Sequence, residues 1–325
     1  MTVPATSNGL MVPPRSSQEI KRQLVDLAKL KAKATDYGTD DFASQLAMSS
    51  IVGHEQELLE ELRAAEMLES GSAAELILDG DPVRQHMIRA SFLGAMLSKV
   101  QELLNALAQV ITSIPTARAP VPRNIVAENR LMVAGWVPSS FAVRLRLPTK
   151  EELGQLLETE SQSVLEGVAK LLGEQAPSQG TVEWLSHPRV KKHYYEFLEA
   201  VAKQGAVVKL RTRGNPFGAG VTAEQARDRV EWLDLLQVEE KPLSLSGLLV
   251  GGNIESGRFE LKVEEELYRG KVSEKAKAQM KHLTFGAEVQ AQLRVRTTVH
   301  EEGAIEPMTA FVLDAIQPLQ GQPTI

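Results

Sequence analysis

The chain has 325 residues, of which 43% are hydrophobic and 24% are charged, a composition typical of globular proteins. This length predicts two or three domains. The formal net charge of -6 gives no general attraction to polyanions, so any basic surface that binds nucleic acid has to be local. The sequence contains no cysteine, which excludes disulfides, thiolate metal sites, iron–sulfur clusters and cysteine nucleophiles, and fits a cytoplasmic protein.

The first residues are rich in Pro and Ser and predict a flexible tail. They lack the charged and apolar parts of a secretory signal, and no run of 18 apolar residues follows, so we expect no membrane span. The rest of the chain predicts an α+β protein in three parts. We expect a flexible tail over residues 1–17, a helical domain over 18–114, a linker over 115–124, an α/β domain over 125–238, a small β-barrel over 239–319 and a second tail over 320–325.

The helical domain contains a heptad pattern. One helix is predicted from Ser17 and a second after His54, ending near Gly71. A third carries apolar residues at alternating spacings of four and three residues, the pattern of a coiled-coil seam that also reaches Ile114. This seam predicts a helical bundle or coiled coil; packing inside the chain is the simpler interpretation, and an interface with a partner or a second copy is the sharper alternative. Its candidate interface residues are Leu93, Leu97, Val100, Leu104, Leu107 and Ile111.

The central part alternates strands and helices. Residues 131–137 and 141–147 predict a hairpin, Thr149 with Glu152 predicts a capping box for a helix reaching about Leu172, and a further helix should end at Gly205. A strand "AVVKLRT" follows, and then the glycine-rich loop "RGNPFGAG". This loop lacks the Lys and Ser/Thr of a phosphate-binding loop, so we interpret it as a connection. The alternative is an anion held by Arg211 and Arg213 at the next helix.

The C-terminal part predicts a small barrel. Phe259, Leu261 and Val263 alternate with polar residues, as do the residues from Val289 to Val299, and about five short strands fit an SH3-like or OB-like barrel. Between Leu243 and Leu319 there are nine basic and eleven acidic residues, which does not favour nucleic acid. Arg294 and Arg296 are nevertheless the candidate nucleic-acid contacts of this part.

Catalytic and metal-binding patterns are not found. "HEQEL" has Leu58 where a zinc-protease helix needs its second His, and His187 and His193 do not share a helical face. Glu260 and Lys262 have the E-x-K spacing of some metal-dependent nucleases, although an exposed strand face is the simpler interpretation. We therefore predict no catalytic residue, no metal ligand and no cofactor.

Three segments resemble a family of uncharacterised bacterial proteins. They are "VAGWVPSSFAVRLRLP", "LSGLLVGGNIESGRFELKVEEELYRGKVS" and "VQAQLRVRTTVHEEGAIEPMTAFVLDAIQPL", within about residues 130 to 319. The resemblance implies a helical N-terminal part, a central α/β part and a terminal small barrel. It also implies an association with restriction, phage-defence or toxin–antitoxin gene neighbourhoods. The matched positions lie mostly in strands and turns, so the resemblance implies fold rather than activity.

These observations predict a protein that acts by binding. The leading hypothesis is a non-enzymatic adaptor of a bacterial cytoplasmic complex that assembles through its helical region and docks a protein partner, with phage defence as the candidate process. The alternative is a component that binds nucleic acid or a nucleotide through the barrel and the Arg211/Arg213 region. A metal-dependent nuclease at Glu260 and Lys262 is the remote alternative.

Overall fold

The structure is a computed structural model of the chain. No helix among the residues it describes is long and apolar enough to cross a bilayer. It describes residues 15–36, 42–84, 87–112, 120–137, 141–148, 152, 161–254, 256–303 and 305–319.

The first two helices form an antiparallel hairpin. Helix α1 (Ser17–Asp36) and helix α2 (Phe42–Glu69) bury Ile20, Leu27 and Leu58 between them. The end of α2 caps the start of α1, since the backbone N–H and the hydroxyl of Ser17 donate to the Glu69 carboxylate at 2.9 and 2.6 Å. These hydrogen bonds lower the pKa of Glu69. The helix predicted from Ser17 is confirmed, and the second helix includes the predicted segment after His54 but begins earlier, at Phe42.

A five-stranded antiparallel sheet forms the centre of the protein. Its strands lie in the order β4-β5-β1-β6-β7, so the first strand in the sequence is in the middle. The predicted hairpin over 131–147 is confirmed as β4 and β5. The bounds are β1 (Ala73–Gly80), β4 (Met132–Val137), β5 (Ala142–Arg146), β6 (Ala206–Arg211) and β7 (Ala219–Thr222).

Helices pack on this sheet and enclose the main core. Helix α7 begins with a Pro at its first turn and ends at Gly205, which adopts the left-handed conformation at φ 63°. Helix α8 begins with the predicted capping box of Thr222 and Gln225. The helices of this part are α3 (Ala90–Thr112), α4 (Arg123–Glu128), α5 (Ser161–Gly173), α6 (Gln179–Leu185), α7 (Pro188–Gln204) and α8 (Ala223–Asp234).

The residues expected to form the helical domain, 18–114, also contain a strand of the central sheet and a helix of the main core. Residues 73–80 form the central strand of the sheet, and α3 packs against α5 and α7 in the same core. The short apolar run of β1 is buried on both faces and therefore lacks the alternation that identifies a strand in the sequence. Part of the expected linker over 115–124 lies outside the described residues, and Arg123 already begins α4.

The C-terminal part is a second sheet, in which the last strand in the order also pairs with the first. The order is β10-β12-β11-β8-β9, and β9 pairs again with β10. Only the β10–β12 pair is parallel. Helix α9 (Glu274–Met280) connects β10 to β11 and buries Ala276 and Met280. The strand bounds are β8 (Leu236–Asn253), β9 (Arg258–Val263), β10 (Glu266–Val272), β11 (Glu288–His300) and β12 (Met308–Pro318).

The long strand β8 pairs with two different strands of this second sheet. Its first part pairs with β11 from Leu236 to Leu248, and its last part pairs with β9 from Leu248 to Asn253. A register shift at Leu249 marks the change of partner. A third sheet has two strands, β2 (Val83–Arg84) and β3 (Met87–Ile88). Together with the helices, the three sheets show the mixed α+β class.

Candidate anion-binding site

The predicted heptad seam faces the interior of this chain. Val100, Leu104 and Leu107 are at most 1% exposed, and the other three candidate residues pack against the same core. Their partners lie on α5 and α7, so the intramolecular interpretation describes the packing of α3. Ile114, at the end of the predicted seam, lies outside the described residues. The three fully buried seam residues are therefore part of the core of this chain, whereas Leu93, Leu97 and Ile111 are partly exposed.

Arg211 and Arg213 do not form one anion site. Arg211 Nη1 donates to Glu75 Oε2 at 2.6 Å, and Arg144 Nε donates to Glu75 Oε1 at 3.2 Å, so the guanidinium of Arg211 already holds a buried carboxylate. Arg213 is exposed in the loop beyond the strand. The two arginines therefore belong to different environments.

The glycine-rich loop also holds a carboxylate of the chain itself. The Gly214 N–H donates to Glu166 Oε1 at 2.9 Å, and the Thr212 hydroxyl donates to Glu166 Oε2 at 2.7 Å. A Cβ on Gly214 would lie 2.7 Å from Glu166 Oε2, so a larger residue here would displace that carboxylate. Glu166 thus occupies the donors that an external phosphate would need.

Arg294 and Arg296 lie on β11 and are paired with acidic residues. Arg294 donates two hydrogen bonds to the Asp314 carboxylate, at 3.0 and 2.8 Å, and Arg296 donates two to Glu240, at 2.8 and 2.6 Å. Burial opposes the ionisation of Glu240, but the hydrogen bonds and charges of both arginines outweigh it and lower the Glu240 pKa. The two arginines and their carboxylate partners thus form a neutralised ion-pair network rather than an open phosphate site.

Arg294 and Arg296 line a cleft of about 510 Å³ between the C-terminal sheet and α6. Lys271 lies in this cleft, where its ammonium donates to the Val110 carbonyl at 3.0 Å and lies 3.9 Å from Glu183. Burial lowers the pKa of Lys271. Because each of these cations faces a carboxylate or a carbonyl, this cleft has little excess positive charge.

Glu260 and Lys262 are each close to a side chain of opposite charge. Glu260 is paired with Arg269 at 2.9 Å, and Lys262 lies 3.8 Å from Glu265. Among the described residues, Glu260 belongs to no cluster of three potential metal ligands. Both residues have the exposed strand-face positions of the simpler interpretation.

A different cleft, here called the basic cleft, has more unbalanced charge than the cleft beside α6. It encloses about 870 Å³ beside the β2–β3 hairpin, the end of α7 and one face of α8. Its charged lining residues are Asp81, Arg84, Arg89, Lys203 and Arg227. Over the described ranges, none of these four basic side chains pairs with a carboxylate. The local charge is therefore positive although the whole chain is acidic.

Backbone geometry fixes the floor of the basic cleft. The chain leaves β1 through Gly80, at φ 90°, and the Asp81 N–H donates to the Gly205 carbonyl at 3.2 Å. A Cβ on Gly80 would lie 2.4 Å from that carbonyl oxygen, and a Cβ on Gly205 would lie 2.4 Å from the Asp81 carboxylate. Two glycines therefore permit the close approach that brings the hairpin beside the end of α7.

The side chains of the β2–β3 hairpin divide between core and cleft. Val83 and Ile88 pack against the main core, whereas Arg84 and Met87 are paired across the hairpin and exposed. Lys203 lies in the last turn of α7, where the helix dipole favours a cation. The sequence signal was weak, because the four cations come from three separated segments and no motif joins them.

Comparison with known proteins adds no identification. No family model, curated protein or solved structure matches this chain. The functional proposal consequently rests on the geometry and charge of the described residues.

Proposed function

We propose that this protein binds the phosphate backbone of a nucleic acid in the basic cleft. The supporting observation is that four basic side chains around one concave surface have no carboxylate partner among the described residues. Cations that are not neutralised by the protein gain the most from phosphate contacts, because bound counterions are released. The overall charge of -6 then opposes binding elsewhere and directs the ligand to this surface.

Among its described lining residues, the basic cleft contains no aromatic ring. Single-strand binders that stack bases use aromatic side chains, so stacking does not contribute here. Recognition would depend on phosphate contacts, which carry no direct sequence information. The proposal therefore predicts binding with little sequence preference.

We further propose that the C-terminal sheet is an OB-like barrel. Three features favour this class over an SH3-like barrel. The strand pairs form a ring, a helix connects the third and fourth strands, and the first strand pairs with both the second and the fourth. OB-like barrels often bind oligonucleotides through the face of their second and third strands. On β9 and β10 that face carries the Glu260–Arg269 pair, so the barrel would contribute less charge than the basic cleft.

The test is fluorescence anisotropy with labelled single-stranded and double-stranded oligonucleotides of several sequences. We expect Arg84→Ala and Arg227→Ala to weaken binding of every sequence to a similar extent. Arg213→Ala is the matched control, because it removes an exposed arginine outside the cleft. Binding that is absent, or that Arg213→Ala weakens as much as the cleft variants do, would overturn the proposal.

The adaptor hypothesis has a different prediction in the same preparation. Since the seam of α3 is internal, an adaptor would need another surface for its partner. Purification at low salt would then yield a stoichiometric protein partner and no oligonucleotide affinity. That result would favour the adaptor and reject nucleic-acid binding.

A further inference from the structure

Three metal-ligating side chains meet where α3 crosses α7. Glu102 comes from α3, and His193 and Glu196 come from α7, spaced so that they lie on one face of that helix. His193 Nδ1 lies 3.5 Å from Glu102 Oε2 and 3.6 Å from Glu196 Oε2. One ligand atom from each residue lies within 4.8 Å of the others. This cluster is separate from both clefts.

The position of His193 Nδ1 is unusual for a polar atom. It is inaccessible to solvent and has no hydrogen-bond partner in the part of the chain that the structure describes. Its two carboxylate neighbours lie beyond the about 2.7–3.2 Å of a normal hydrogen bond. Most buried polar atoms in proteins do have a partner. The imidazole nitrogen is therefore directed at two carboxylates without bonding to either.

The separations fit shared coordination better than hydrogen bonding. A tetrahedral ion with bonds of about 2.0–2.2 Å holds its ligands about 3.4 Å apart. The observed separations of 3.5 and 3.6 Å are close to that value. In helical proteins, metal sites are commonly built from Glu and His side chains on facing helices.

The donor atoms indicate the class of metal. One imidazole nitrogen and two carboxylate oxygens suit a first-row transition-metal dication, whereas magnesium and calcium prefer oxygen ligands alone. We propose that Glu102, His193 and Glu196 bind Zn²⁺ or a similar transition-metal dication and thereby join α3 to α7. The three protein ligands leave a fourth position for water.

Two lysines near the cluster give the proposal a specific test. Lys99 Nζ lies 3.9 Å from the same Glu196 oxygen that faces His193, and Lys192 Nζ lies 3.8 Å from the other. A bound dication would be repelled by the Lys99 ammonium, whose side chain is 26% exposed. Replacing Lys99 with an uncharged residue of similar length should therefore strengthen metal binding.

The experiment is calorimetric titration of the chelator-treated full chain with Zn²⁺, together with Co²⁺ absorption spectra. We expect one Zn²⁺ per chain and a visible Co²⁺ spectrum of low coordination number. Glu102→Gln and His193→Gln should each weaken Zn²⁺ binding by more than the about 100-fold that loss of an outer-shell partner costs. Lys99→Met should bind Zn²⁺ more tightly than the natural chain.

Two control variants test whether a loss of Zn²⁺ affinity is specific to this cluster. Glu199→Gln makes the same chemical change on an exposed residue of α7 and should leave Zn²⁺ affinity unchanged. His54→Gln removes another histidine near a carboxylate, with Nδ1 at 3.4 Å from Glu57, and should also leave Zn²⁺ affinity unchanged. No Zn²⁺ binding by the natural chain, or binding that survives both Glu102→Gln and His193→Gln, would overturn the proposal.

Discussion

Replacing Glu75 with Gln should destabilise the protein strongly. Glu75 lies on the central strand directly opposite Arg144 on β5 and Arg211 on β6. Its side chain is 5% exposed and accepts a hydrogen bond from each arginine, at 3.2 and 2.6 Å. Gln has a similar shape but carries no charge. The substitution would leave two guanidinium groups side by side, at 22% and 13% exposure.

The expected magnitude follows from the burial of the pair. Removing one partner of a buried ion pair costs about 3–5 kcal/mol, because the remaining charge is uncompensated. The Gln carbonyl can still accept one hydrogen bond, so we expect a loss of about 3 kcal/mol in the free energy of unfolding. Glu66→Gln is the control, since the Glu66–Lys21 pair is 2.7 Å long and its side chains are 48% and 55% exposed. Such a surface pair contributes about 0–1 kcal/mol.

The assay is equilibrium urea unfolding of the natural chain and both variants at neutral pH. A loss for Glu75→Gln no larger than that for Glu66→Gln would refute the reasoning. A second variant checks the mechanism: adding Arg211→Met to Glu75→Gln should recover part of the stability, because it removes one uncompensated charge. Further loss in the double variant would contradict an electrostatic cause.

Three further predictions concern packing, pH and backbone conformation. Leu104→Ala, at a position 0% exposed, should cost about 2–5 kcal/mol in urea unfolding without changing the mass measured by light scattering; a lower mass in a folded variant would show that the seam joins subunits. Because the folded state lowers the pKa of Glu240, its charge stabilises the fold above the unfolded pKa and this contribution is lost as pH falls through the folded pKa. Glu240→Gln should accordingly weaken the loss of stability towards acid pH, and an unchanged pH profile would contradict this assignment. Gly205→Ala should cost about 1–2 kcal/mol because φ is 63° and the new Cβ would meet the Asp81 carboxylate. Gly94→Ala, inside α3 with nothing within 4 Å, should instead be neutral or gain up to about 1 kcal/mol, and equal effects of the two changes would exclude a conformational cause.

Much of the secondary structure could be predicted because its signals are local. The capping box at Thr222 and the left-handed Gly205 mark helix ends through residues adjacent in sequence. The alternation around Phe259 and Leu261 likewise identified a half-buried strand. Strand β1 was missed because it is buried on both faces and shows no alternation. Without β1, nothing in the sequence indicated that α3 shares its core with a sheet.

The candidate sites depended on contacts that sequence alone does not give. Arg211 looked available for an anion, but its register places it opposite Glu75. Arg294 was similarly paired with Asp314, which follows it by 20 residues on the next strand. The i,i+3 spacing of His193 and Glu196 was visible, whereas Glu102 joins them only through helix packing. Long-range pairing therefore determined which charges remain available.

The most direct test of the basic cleft is the salt dependence of oligonucleotide binding. Each phosphate contact contributes about -0.7 to the slope of log affinity against log salt concentration for single strands. If Arg84 and Arg227 both contact phosphates, the double variant Arg84→Ala/Arg227→Ala should have a slope shallower by about 1.4 than the natural chain, while Arg213→Ala keeps the natural slope. Equal slopes for the natural chain and the double variant would contradict a phosphate-binding role for the basic cleft.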